Sequence, residues 1–203
     1  MYVGRIVIIG RTRGRSWVGY RVSSRSFPNR RAQVRGDSVL VSPVDPKDLE
    51  KNPYIAYNCI RLAGGGAVVA NGTQTDMIAE KVGDGTRPLE AIALSLTAFG
   101  YERDELDTPR IAGVVVGERG WLGIAKRGEI RTKEFDLSEG GAFLVATYEK
   151  TEFEAAGVAG ESSGEIARAA HGLVFERPVC SAAAFETEGG FEFAVRNPGP
   201  SEL

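Results

Sequence analysis

The chain is 203 residues long, 42% hydrophobic and 26% charged, with a formal net charge of −2, which predicts one domain over 1–203 around a large core and excludes a disordered chain. The neutral-to-acidic balance argues against the broad basic surface that nucleic acid requires. No stretch approaches the roughly 18 apolar residues of a membrane span, and the start lacks a basic region followed by an apolar run, so no membrane partner and a cytoplasmic location are expected.

Residues 3–9 are rich in β-branched side chains and end at Gly10; with 17–27, beyond an arginine-rich turn, they predict an opening β-hairpin. Residues 38–42 give another short strand, and Pro46 and Pro53 bracket a segment whose form the sequence leaves open. A second hairpin is expected from 54–62 and 67–70 around Gly64-Gly65-Gly66, stopping at Asn71-Gly72. Helical spacing follows at 75–82 and 88–99, where Leu89, Ile92, Ala93, Leu96 and Phe99 share a face and Gly100 ends the run. Strands are expected at 110–116, 121–126, 130–135 and 142–148, then a helix at 162–171 capped by Ser162 or Ser163 and stopped by Gly172. Residues 179–185 and 191–195 close the chain as a hairpin, and about 197–203 read as a loose tail. About ten or eleven strands in hairpins, with about three helices gathered between them, argue for an α+β fold of mainly antiparallel sheets flanked by helices.

The segment from Tyr20 to Arg31 concentrates chemistry. Along a strand Arg21, Ser23 and Arg25 share one face, and Tyr20, Val22 and Ser24 the other. Two guanidiniums flanking a hydroxyl suit an anion such as phosphate, which arginine binds in paired hydrogen bonds. The same pattern also serves a solvated edge strand whose charges block aggregation. Asn71, Thr73 and Asp76 sit where a strand gives way to a helix, a junction fit for an anion or a carbonyl oxygen and equally for ordinary capping. Tyr57 and Asn58 lie in an otherwise apolar strand and need hydrogen-bond partners. Glu102, just past Gly100, reads either as a positioned base or as a solvated loop acid. Cys59 and Cys180, far apart among apolar neighbours, read as buried free thiols. His171 is the sole histidine, which excludes a histidine-rich metal cage.

Four blocks in one order carry a resemblance: Tyr-Arg-Val-Ser-Ser-Arg-Ser-Phe-Pro-Asn-Arg at 20–30, Asn-Pro-Tyr-Ile-Ala-Tyr-Asn-Cys-Ile-Arg at 52–61, Asn-Gly-Thr-x-Thr-Asp at 71–76 and Tyr-Glu-x-Asp-Glu-Leu-x-Thr-Pro-Arg-Ile-Ala at 101–112. Together they resemble the archaeal-type IMP cyclohydrolase family, nearly throughout the chain and more weakly between about 117 and 175. The resemblance implies a four-layer αββα sandwich like that of the N-terminal nucleophile hydrolases, without a self-processing nucleophile, since position 2 is tyrosine. It implies closure of 5-formamidoimidazole-4-carboxamide ribonucleotide to inosine 5′-monophosphate with loss of water, with no metal or other cofactor, a small-molecule purine nucleotide as partner, and a homo-oligomer. Carried onto this sequence, it sets Arg21, Arg25, Asn29 and Arg30 around the phosphate or the carboxamide oxygen and Tyr57, Asn71 and Glu102 at the reacting groups. Arg21 also counts among the catalytic residues, and Ser23, Asn58, Thr73 and Asp76 complete the substrate-binding set. A nucleotide-binding protein without the reaction, or an amide hydrolase on the same scaffold, are the alternatives.

Overall fold

The computed structural model describes residues 1–197 and 199. The chain runs β1 (Arg5–Thr12), β2 (Arg15–Ser23), β3 (Arg30–Arg35), β4 (Ser38–Pro43), helix α1 (Asp48–Lys51), a 3-10 turn (Pro53–Ile55), β5 (Tyr57–Ala63), β6 (Gly66–Ala70), α2 (Gln74–Gly83) and α3 (Pro88–Phe99). It continues through β7 (Arg110–Val116), β8 (Arg119–Lys126), β9 (Glu129–Asp136), β10 (Gly141–Ala146), β11 (Glu154–Ala155), α4 (Ser163–His171), β12 (Pro178–Thr187) and β13 (Gly190–Arg196). The strands form two antiparallel sheets: a six-stranded one ordered β11-β10-β1-β2-β12-β13 and a seven-stranded meander from β3 to β9.

Strand alternation explains how these sheets stack. On β1, Val7 and Ile9 belong to the core between the sheets, whereas Ile6 and Ile8 pack outward with Ile166, Ala167 and Ala170 of α4. On β6 and β7, Val69, Ile111 and Val115 face the inter-sheet core, while Val68, Ala112 and Val114 meet α2 and α3. The layers are therefore α4, the six-stranded sheet, the seven-stranded sheet, and α2 with α3. Both faces of the central strands are buried, so near-continuous apolar strands such as Ile6-Val7-Ile8-Ile9 are what this packing requires. Close approach is secured by Gly10, where a Cβ would collide with the Trp17 ring. Among the described residues no helix is long and apolar enough to cross a membrane.

Antiparallel pairing brings alternate strand termini to one end of the sandwich. The register sets Arg5 opposite Val22, Ile6 opposite Ala146 and Pro178 opposite Ser23. In the other sheet Arg30 pairs with Pro43, Val41 with Tyr57, and Ala70 with Ala112. The loop from β2 to β3 crosses between sheets here, and the segment between α3 and β7 returns here.

Several expectations change. β2 stops at Ser23, so Ser24 to Asn29 form the crossover; the strand expected from 54 begins at Tyr57, after the 3-10 turn; and β3 and β11 are edge strands the sequence did not announce. Asn197 is tied down: its side chain accepts from the backbone N–H of Ala32 at 2.8 Å and donates to the carbonyl of Ala32 at 2.9 Å. The rest of the expected tail, apart from Gly199, lies outside the described residues.

Candidate active site

A cavity of about 490 Å³ opens at this end, bordered by Ser26, Phe27, Asn52, Tyr54, Arg103 and Leu106. It leads to a narrower cleft that also reaches Tyr2, Arg5, Ser24, Arg30, Glu102 and Tyr148. A volume of several hundred Å³ with a few convergent polar groups is typical of small-molecule sites.

Glu102 and Asp104 are the acids of this cleft, and Glu102 is the buried one. Helix α3 ends at Gly100, whose φ of 62° and ψ of −148° are open to glycine but costly for other residues. That turn folds the chain back, and the N–H of Glu102 donates to the carbonyl of Thr108 at 2.8 Å. Thr108 is in turn held by Asp104, which accepts from its N–H at 2.9 Å and its hydroxyl at 2.7 Å. The Glu102 carboxylate is 1% exposed. Its Oε2 accepts from Nη2 of Arg5 at 2.7 Å, whereas Oε1 stands 3.6 Å from Nη1 of Arg110 and has no hydrogen-bond partner among the described residues. Burial pushes the Glu102 carboxyl above its usual range, with the charges of Arg5 and Arg110 opposing. Burial would weaken the Arg5 guanidinium, but the Glu102 carboxylate and neighbouring phenols more than reverse that, so it stays charged. Its Nε is also buried without a hydrogen-bond partner among the described residues. The Arg5–Glu102 ion pair thus leaves one buried acceptor and one buried donor unpaired, and Nε of the neighbouring Arg110 is a further unpaired donor.

Across the inter-sheet core the hydroxyls of Tyr20 and Tyr57 meet at 2.7 Å, one from each sheet. Burial raises both phenols above their ordinary range, so both remain protonated donors at neutral pH. Arg5 and Arg30 partly offset this at Tyr57.

The expected site residues divide into two groups. Arg30 and Glu102 line the cleft, and Tyr57 lies behind it within the field of both Arg5 and Arg30. Arg25 stands at the rim, stacked at 4.3 Å on the ring of Tyr2 and ion-paired with Glu176 at 2.7 Å. Asn29 is exposed in the crossover. Asn71 is fully buried and held by local partners: it donates to the carbonyl of Pro109 at 2.9 Å and accepts from Ile111 N–H at 2.8 Å and Gln74 Nε2 at 2.9 Å. Asn58 donates to Asp76 at 2.9 Å, Asp76 also faces Arg61 at 3.4 Å, and Thr73 is exposed at the start of α2. None of these last three lines the cleft.

Arg21 and Ser23, expected at the site, lie apart from this cleft. Tyr20 and Val22 take the inner face of β2, so Arg21 and Ser23 face the α4 layer, where both are fully buried. The Arg21 guanidinium donates to the carbonyls of Leu173 and Phe175 just beyond α4 and lies 5.9 Å from the Phe175 ring centroid. Burial lowers it to about 10. It pins that segment to the sheet and does not reach the cleft. Replacing Arg21 by Lys loses one of the paired bonds and is expected to destabilise the fold by about 1.5–3 kcal/mol, with nucleotide affinity per folded molecule unchanged. A tenfold weaker nucleotide affinity at full folding would bring Arg21 back to the ligand.

Sequence reasoning passed over Arg5, Tyr20, Gln74 and Arg110. Arg5 left a signal: it is in phase with Val7 and Ile9, an arginine at the head of an inward apolar stripe.

Comparison with known proteins places the whole chain in one family. The family model described as IMP cyclohydrolase-like protein matches residues 2–190. The chain is similar to the IMP cyclohydrolase of Methanothrix thermoacetophila, 61% identical over 98% of this chain and all of that protein. It is 51% identical to the IMP cyclohydrolase of Methanocella arvoryzae, over 98% of this chain and the whole relative. It is 42% identical to the enzyme of that name from Natronomonas pharaonis, over 97% of this chain and 99% of the relative.

Proposed function

The chain belongs to the IMP cyclohydrolase family, and from that premise we propose that the cleft around Glu102 closes 5-formamidoimidazole-4-carboxamide ribonucleotide to inosine 5′-monophosphate. The carboxamide nitrogen bonds to the formyl carbon and gives up one of its two hydrogens, while the formyl oxygen becomes a hydroxyl. That hydroxyl then leaves as water with the hydrogen of the former formamido nitrogen, and a C=N bond remains. Both reacting groups belong to one molecule, so orientation supplies much of the rate.

The observation that carries this reading is the pair of unsatisfied atoms in the cleft, Glu102 Oε1 and Arg5 Nε. An amide nitrogen is a poor nucleophile and needs a base to draw off its proton, and the formyl oxygen gathers negative charge as it is attacked. Glu102 Oε1 is the base, its basicity raised by burial. Arg5, backed by the neutral Tyr57 and Tyr20 hydroxyls, stabilises the oxyanion; Glu102 returns its proton to that oxygen to make the hydroxyl, then takes the hydrogen of the former formamido nitrogen and delivers it to the hydroxyl as it leaves as water. Arg30 with Ser24 and Ser26 holds the 5′-phosphate, and Arg25 attracts it at the rim. Asn71 acts on the cleft through Gln74.

Replacing Tyr57 by Phe is expected to lower kcat by about 10² with little change in nucleotide affinity. A wild-type kcat would remove the phenol from the reaction. The αββα layering is read as that of the N-terminal nucleophile hydrolases, and a homo-oligomer in the cytoplasm belongs to the same proposal. Incubation of purified protein with the formylated ribonucleotide tests the whole: inosine monophosphate must appear by absorbance. Release of formate or ammonia instead would mark an amide hydrolase, and binding without turnover a sensor.

A further inference from the structure

Gln74 is fully buried, and its amide orientation is forced by backbone groups. The carbonyl of Pro109 only accepts and the N–H of Ile111 only donates, which fixes both ends of the Asn71 amide. Gln74 must then approach Asn71 Oδ1 with its NH₂ group, at 2.9 Å, and the same group sits 3.4 Å from the carbonyl of Ile111. Its Oε1 is left as an acceptor, and Arg110 Nη1 donates to it at 2.7 Å. The same Nη1 is the atom 3.6 Å from Glu102 Oε1. Tyr54 and Phe99 flank the Arg110 guanidinium at 5.7 and 5.4 Å. A side chain at Gly72 would collide with that Nη1 and with Gln74 Oε1.

We propose that Gln74 is a positioning residue, holding Arg110 close enough to Glu102 to favour the carboxylate yet too far to occupy the lone pair that takes the substrate's proton. The proposal rests on Glu102 being the base. The chain of contacts Asn71, Gln74, Arg110, Glu102 gives the buried Asn71 amide a function without substrate contact. The charged and titratable groups around Glu102 are Arg5 from β1, Arg110 from β7 and Asp104 from its own loop, with Tyr20, Tyr57 and Tyr148 around Arg5.

The test is the pH dependence of kcat for full-length Gln74→Met and Gln74→Glu proteins, normalised to folded protein. Methionine removes the acceptor, so Arg110 closes on Glu102 Oε1: kcat falls between about 10- and 10²-fold, KM stays within about twofold, and the acid limb moves to lower pH. Glutamate captures Arg110 and adds a negative charge, so the acid limb moves to higher pH. Gly72→Ala separates the same two atoms from the backbone side and must reproduce the methionine shift, which keeps the test decisive if the glutamate variant fails to fold. A purely structural Gln74 would lower Tm and leave every acid limb at the wild-type position, and that result overturns the proposal. Wild-type protein that forms no inosine monophosphate would instead overturn the function on which it rests.

Discussion

Glu102→Gln is expected to lower turnover by about 10²–10⁴-fold while the affinity for inosine monophosphate changes little. The substitution keeps an amide oxygen for the 2.7 Å bond to Arg5 but turns the unpaired acceptor at Oε1 into a donor facing Arg110. Substrate still enters, because Arg30, Ser24, Tyr54 and the cleft walls are untouched, but no group remains to take the amide proton. The wild-type pH profile should show kcat rising with pH as Glu102 loses its proton, with a midpoint above the ordinary glutamate range because burial disfavours the anion. The variant should lack that limb. Rapid-mixing kinetics across pH 4–8 measure both, and a variant with wild-type turnover would remove Glu102 from the chemistry.

Arg5→Met is expected to have the largest effect on stability, about 3 kcal/mol at pH 7, the low end of what breaking a buried ion pair costs, since Arg110 still faces the carboxylate. Arg5 is 13% exposed and Glu102 1%, so neither charge finds water when its partner is lost. The pH dependence has a definite sign. The folded-state carboxyl already binds its proton more tightly than the unfolded one, so protonation of Glu102 favours the fold. That advantage is full below the unfolded pKa and is lost as pH rises through the folded one. Removing Arg5 raises the folded value further, so the deficit against wild type should shrink as pH falls from 7 toward 5. Urea denaturation at both pH values measures it. A deficit that grows on acidification would mean that Arg5 does not stabilise the Glu102 anion.

Much of the fold was legible in the sequence because its punctuation is strong. Helix α3 starts at Pro88 and ends before Gly100 as expected, Ser162 caps α4 by accepting from Glu165 N–H at 3.3 Å, and the Gly64-Gly65 turn joins β5 to β6 with both glycines at positive φ. Strand β3 was not legible, since Arg-Arg-Ala-Gln-Val-Arg at 30–35 offers only Ala32 and Val34 as apolar positions, and it forms as an edge because β4 supplies its hydrogen bonds. Cys59 and Cys180 are free and buried, as their apolar neighbours suggested, and burial pushes the Cys180 thiol up to about 12.

The site was legible in part, for a reason of symmetry. Alternation tells which residues share a face of β2 but not which face meets ligand, and here both faces are buried, one by the second sheet and one by α4. Arg21 therefore reads in the sequence as an anion ligand, while in the fold its guanidinium donates to the carbonyls of Leu173 and Phe175. A motif names Glu102 and Arg30, and both line the cleft. No motif points to Arg5 or Gln74, whose contacts reach across 97 and 36 residues of chain, to Glu102 and Arg110.

The proposed mechanism requires the purine nucleotide to sit where the strand ends converge, between Glu102 and the Tyr20–Tyr57 pair. A crystal structure with bound inosine monophosphate tests it most directly. The base is expected within hydrogen-bond distance of Glu102 Oε1 and the phosphate against Arg30. Nucleotide bound instead beside Arg21 and α4, or on the Thr73 and Asp76 side of the other sheet, would contradict it.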